Sequence, residues 1–149
     1  MNHTLKFASD TCMLADMRRA AREFLNSTPL NEMQSELIVL ALDEACTNII
    51  RHAYEGRDDC PIHISLDSDS DRIVCVIRDF GKSCDPKKIR GRELDDFRPG
   101  GLGVRIMKTA FDEVKFDPRP QGTELTMVKY LRPLGESASH ARNGQTNGA

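Results

Sequence analysis

A chain of 149 residues with 39% apolar and 30% charged residues has the size and balance of one soluble globular domain with its own core. A net charge of −2 gives no overall basic footprint for nucleic acid, and no apolar run is long enough to cross a bilayer. Met1–Phe7 lacks the apolar stretch of a secretory signal, and the five cysteines (12, 46, 60, 75, 84) show no metal-type spacing, so free thiols in a reducing cytoplasm are expected.

In chain order, residues 3–7 read as a short strand. Asp10 or Thr11 then caps a helix to about Leu25, whose apolar side carries Met13, Leu14, Met17, Ala20, Ala21, Phe24 and Leu25. Pro29 breaks the chain, and Asn31 caps a second, longer helix to about Tyr54. After a turn at Gly56–Asp59, Ile62, Ile64 and Leu66 alternate with polar residues as in a half-buried strand. A hairpin turn at Asp67–Asp71 leads to a more apolar strand, Arg72–Arg78. Residues 82–100 have no sustained periodicity and read as a long binding loop or lid. A helix over Leu102–Phe111 and strands at Val114–Phe116 and Glu124–Leu131 follow. The Ser, Asn, Gly and Gln of the last residues predict a disordered tail, so the domain is expected over 1–133 and the tail over 134–149.

Three segments carry the chemistry. In the second helix, Glu44 and Asn48 stand i, i+4 on one face, while Ile38, Leu42, Ala45 and Ile49 form the core face. A carboxylate and an amide in a mostly apolar helix need partners. Asn48 offers a neutral oxygen to a hard cation such as Mg²⁺, and Glu44 either orients a metal-bound water or takes the proton of an attacking hydroxyl; the alternative is an ordinary exposed polar stripe. Asp79-Phe80-Gly81 follows the apolar strand. An ionised Asp79 accepts hydrogen bonds, as from the amino group of adenine, and Gly81 lets backbone approach a flat base; the alternative is a common strand-to-turn Asp-x-Gly. Gly100-Gly101-Leu102-Gly103 opens a helix whose free N–H groups suit phosphate, or is a plain glycine hinge. Gly122-Thr123 opens the last strand, with the Thr123 hydroxyl placed either near the base or in a simple turn.

Three local look-alikes fail on residue identity or context. Gly81-Lys82-Ser83 mimics the end of a Walker A loop, which needs glycine where Val76 stands. Asp79-Phe80-Gly81 spells a kinase triplet without the upstream His-Arg-Asp loop. Gly101-x-Gly103 lacks the third dinucleotide-fold glycine, at Ile106.

The order Glu44-x-x-x-Asn48, Asp79-x-Gly81, Gly100-Gly101-Leu102-Gly103, Gly122-Thr123 resembles the GHKL (Bergerat-type) ATPases. Within them, the chain over about residues 3–132 resembles the anti-sigma-factor serine/threonine kinases of partner-switching systems. Leu42–Tyr54 is similar to that family's N-box, Asp79–Pro86 to its adenine segment and Gly100–Met107 to its phosphate segment. The resemblance implies an α/β (α+β two-layer) sandwich with a mixed, mainly antiparallel sheet and helices on one face. It implies ATP and Mg²⁺ as cofactors under a lid at 84–100. Glu44 would be the general base, Asn48 the Mg²⁺ ligand and Asp79 the adenine reader. Gly81, Gly100, Gly101, Leu102 and Gly103 would shape the nucleotide pocket, with Thr123 near the base. The implied partners are a STAS-domain anti-anti-sigma protein as substrate, a sigma factor held and silenced, and a second copy in a homodimer through the first helix and N-terminal strand. Neither nucleic acid nor membrane is implied. Two positions depart from the family pattern: Ser83 replaces a second glycine, and Pro99, next to Arg98, replaces an arginine. A regulatory module that is gated by ATP and transfers no phosphate is the alternative; an intact Glu44 favours the kinase.

Overall fold

The structure, a computed structural model, describes residues 1–82 and 99–131. The expected lid, apart from its last two positions, and the expected tail lie outside the described residues.

The chain opens with β1 (Asn2–Ala8) and a single 3-10 turn at Thr11–Met13, capped where Asp10 accepts from the Cys12 amide at 3.0 Å. Helix α1 (Leu14–Asn26) follows, and its buried Leu14, Met17, Ala21, Phe24 and Leu25 fall on one stripe at helical spacing. Helix α2 (Glu32–Asn48) begins with a full capping box. The Gln34 amide donates to the Asn31 side chain at 2.8 Å, and the Asn31 amide donates to the Gln34 side chain at 3.2 Å. Ile38, Leu42 and Ala45 are buried on its core face, and Ile49 extends that face one turn further.

The second helix is not α-helical to Tyr54. From Ile49 to Ala53 it widens into a π-helical turn, in which the Tyr54 amide reaches back five residues to the Ile49 carbonyl at 2.9 Å. The Gly56 amide then bonds the Ile50 carbonyl at 2.7 Å, and positive φ values at Glu55 (52°) and Gly56 (84°) end the helix.

Strands β2 (Pro61–Ser68) and β3 (Arg72–Asp79) form a hairpin. Its turn is held by the Asp69 carboxylate, which accepts from the Asp71 and Arg72 amides at 2.8 and 3.0 Å. Helix α3 (Pro99–Ala110) starts three residues before the expected Leu102 and ends one before Phe111. Strands β4 (Glu113–Pro118) and β5 (Thr123–Tyr130) complete a five-stranded sheet ordered β1-β2-β3-β5-β4. All four pairings are antiparallel among the described residues.

Alternation along the strands sets the two layers. Ile62, Ile64 and Leu66 of β2, Ile73, Cys75 and Ile77 of β3, and Leu125 and Met127 of β5 are buried, and join one core with the apolar stripes of the three helices. The intervening His63, Ser65, Val74, Val76, Arg78 and Thr126 are only half-buried, so the helices lie on one face. Asp79 and Thr123 sit on the helix-facing register at the ends of β3 and β5, directly opposite each other.

Candidate nucleotide site

Two clusters of expected site residues form, linked by the helix that follows Asn48. In the first, Glu44 and Asn48 are half-buried on α2, beneath α3. Gly103 is buried against them. A Cβ built on it would lie 3.0 Å from Asn48 Nδ2 and 3.3 Å from Glu44 Oε2, so a side chain here would press on both polar groups. Gly100, Gly101 and Leu102 fall within the first turn of α3 rather than in a loop before it. The first-turn N–H groups of a helix have no intrahelical partners, so this backbone suits an anion. Beside Glu44, Asp43 faces the other way and pairs with Arg18 of α1 at 2.9 Å.

In the second cluster, Asp79 is only 3% exposed at the end of β3. Its Oδ1 accepts from the Gly81 amide at 3.0 Å, and the Thr123 backbone also donates to the carboxylate. Burial nevertheless pushes the Asp79 carboxyl above its ordinary range, against those bonds and the Arg78 charge. A buried acceptor with spare lone pairs suits a ligand N–H. Glycines close both sides of this turn. A Cβ on Gly122, whose φ is 83°, would lie 2.0 Å from the Asp79 carbonyl oxygen, and one on Gly81 would lie 2.3 Å from that of Ala53. Phe80 turns out onto the open sheet face, where the Arg78 guanidinium lies 4.3 Å from its ring centre and His63 meets it edge-on at 5.2 Å.

Tyr54 and Ala53 are in contact with this turn and were not legible as site residues. The Tyr54 hydroxyl accepts from the Phe80 amide at 2.8 Å and donates to the Pro61 carbonyl. The Lys82 amide donates to the Ala53 carbonyl at 2.9 Å. Sequence offered one signal for them, their place at the end of Leu42–Tyr54, the segment that resembles the family's N-box. An open groove of about 660 Å³ borders Gly81 on the Tyr54, Pro61 and Phe80 side and includes none of Glu44, Asn48 or Asp79.

A Mg²⁺ site fits these residues within limits. No three His, Cys, Asp or Glu side chains converge among the described residues. Mg²⁺ ordinarily needs only one or two protein ligands beside substrate phosphates and water. Asn48, whose amide lies against Gly103 near the start of α3, carries one neutral side-chain oxygen, a donor of the type such an ion takes, so the residues fit the ion.

A buried carboxylate at a strand end, a polar helix face and a glycine-rich helix start are the parts of a nucleotide-binding α/β domain. The family model of the histidine kinase-like ATPase domain matches residues 7–129. A serine-protein kinase RsbW of Bacillus velezensis is 31% identical over 123 residues, covering 75% of each chain, and that of Bacillus subtilis matches to the same extent. The serine/threonine-protein kinase BtrW of Bordetella bronchiseptica is 30% identical over 100 residues, 64% of this chain and 70% of its own. The chain belongs to the histidine kinase-like ATPase family and, within it, to the protein-serine kinases.

Proposed function

We propose that this kinase transfers the γ-phosphoryl group of ATP, with Mg²⁺, to a serine of a STAS-type anti-anti-sigma protein, and that it alternatively holds a sigma factor. The observation that supports the reading is the cluster of Glu44, Asn48 and Gly103, a carboxylate and an amide held together against a glycine near the start of α3. In this reading Asp79 accepts the adenine amino group, Gly81 and Thr123 border the base, and the start of α3, Gly100 to Gly103, receives the phosphates. Asn48 would hold the metal, which when bound supplies positive charge to the phosphate oxygens. Glu44 takes the serine proton as the serine oxygen bonds to the γ-phosphorus, the bond to the β-γ bridging oxygen breaks and ADP leaves. Homodimer formation is supported by β1, an edge strand with one ladder side unpaired among the described residues. A cytoplasmic location accords with this role. No helix among the described residues is long and apolar enough to cross a membrane.

The test is labelled ATP and Mg²⁺ in an extract of the host, with wild type beside Glu44→Gln. One small protein labelled on serine by wild type alone is the expected result. ATP binding by calorimetry should persist in the variant, since glutamine keeps the shape of the side chain. Equal labelling by both proteins would remove Glu44 from the base role. No Glu44-dependent label, with ATP still bound, would leave a binding module gated by ATP.

A further inference from the structure

The turn Asp79–Lys82 is gripped from outside the sheet by three consecutive residues that leave the π-helical turn. Each makes a separate contact. The Ala53 carbonyl accepts from the Lys82 amide at 2.9 Å and fills the space where a Gly81 side chain would go. The Tyr54 hydroxyl accepts from the Phe80 amide at 2.8 Å. Glu55 pairs with the Lys82 ammonium at 2.8 Å, but both side chains are exposed, and such pairs add little.

The end of the helix at Ala53 makes this grip possible, since the last carbonyls of a helix have no intrahelical partner. A continued α-helix would engage the Ala53 carbonyl with the amide of residue 57; here the Arg57 amide bonds Tyr54 instead, at 3.0 Å, and the Ala53 carbonyl is left to face the turn. Tyr54 is 6% exposed, and its hydroxyl uses both capacities, donating to Pro61 at the start of β2 and accepting from Phe80 just past the end of β3. The hydroxyl is therefore a fixed strut between two strand ends. One residue before the strut's contact at Phe80 lies the Asp79 carboxylate; one residue after it lies the Gly81 amide that holds that carboxylate.

We propose that Tyr54 is a positioning residue for nucleobase recognition: its hydroxyl holds the Asp79–Gly81 turn in the conformation that aims the Asp79 carboxylate at the base. This rests on the reading of Asp79 as the base acceptor. Asn48 and Tyr54 flank the same π-helical turn, Ile49–Ala53, so one short segment joins the base end and the metal end of the proposed site. Tyr54→Phe keeps the ring in the core, removes the strut and leaves the Phe80 amide without its acceptor.

The experiment is calorimetry of ATP and GTP on the full chain, for wild type, Tyr54→Phe and a core control, Ile73→Val. Loss of one buried hydrogen bond to the turn predicts ATP binding about tenfold weaker in Tyr54→Phe. Preference for ATP over GTP should shrink with it. The Ile73→Val control, destabilised in the core far from the turn, should keep both affinity and preference, which separates positioning from general loosening. ATP affinity and base preference unchanged in Tyr54→Phe would overturn the proposal. So would an equal loss in Ile73→Val. Should Tyr54→Phe not fold, hydrogen exchange on wild type decides: a Phe80 amide protected without nucleotide, and more so with ATP, supports the strut, and exchange at the rate of open backbone overturns it. Wild type without selective ATP binding would bring down the nucleotide reading of Asp79, and this proposal with it.

Discussion

At the scale of single residues, the site is built where stability and function pull apart. Gly103 touches both Glu44 and Asn48, and alanine is the better helix former. Gly103→Ala is therefore expected to leave the melting temperature near wild type while phosphoryl transfer falls at least tenfold (about 1.4 kcal/mol on the barrier), because the added methyl displaces the two polar side chains. A thermal melt beside a transfer assay reads both; equal transfer would show that the contact gives way. Asp79 offers the converse. The fold raises its pKa, so the folded chain binds the proton more tightly than the unfolded chain does. Its contribution to stability is thus highest below the ordinary carboxylate pKa and is lost as pH rises through the raised value. Asp79→Asn should flatten that slope, stabilise the nucleotide-free protein at neutral pH and weaken ATP binding by roughly 1–3 kcal/mol. Urea midpoints taken from acid to neutral pH, with calorimetry, check each part. Glu44, Asn48, Asp79 and Gly81 could be picked as candidates because polar residues and glycines interrupting apolar runs stand out in one dimension. Tyr54 could not, since an aromatic at the end of an apolar helix reads as core, and its partner at Phe80 lies 26 positions away.

Among the elements, helix α2 is the axis of the site, and its two ends behave differently. Its start was legible down to the cap, because Asn31 and Gln34 have the spacing of a capping box. Asn31→Ala should cost about 1 kcal/mol of stability. ATP affinity should hold, since the cap lies at the end of α2 remote from Asn48; denaturant unfolding and calorimetry separate the two effects. The far end was not legible. Ile49, Ile50 and Ala53 continue the apolar pattern of an α-helix, and one extra residue in a single turn leaves no periodic trace. The start of α3 was misread for a related reason. Pro99-Gly100-Gly101 looks like a breaker, yet proline is well suited to a first helical turn, where its missing N–H is no loss. The sheet followed the alternation of β2, β3 and β5 closely, because one face is buried under helices and the other is not.

For the whole molecule, burial sorts the thiols. Cys46 and Cys75 are fully enclosed, and burial pushes the Cys75 thiol up to about 12 and that of Cys46 higher still. Cys12 is exposed. Brief alkylation of the native protein should therefore modify Cys12 and spare Cys46 and Cys75 until denaturant is added, which peptide mass mapping reads directly. Modification of Cys75 at the rate of Cys12 would contradict the closed core. The same sorting of inside from outside applies to the carboxylate proposed as the base. Glu44 is half-buried, outside the core that holds the sheet to its helices, and glutamine differs from glutamate by a single base of its codon. On the proposed base role, a duplicated copy of this protein can become a silent look-alike by that one change, still folded and still competing for the proposed partners. The return step is equally short, so signalling strength in a lineage can be retuned without rebuilding the scaffold.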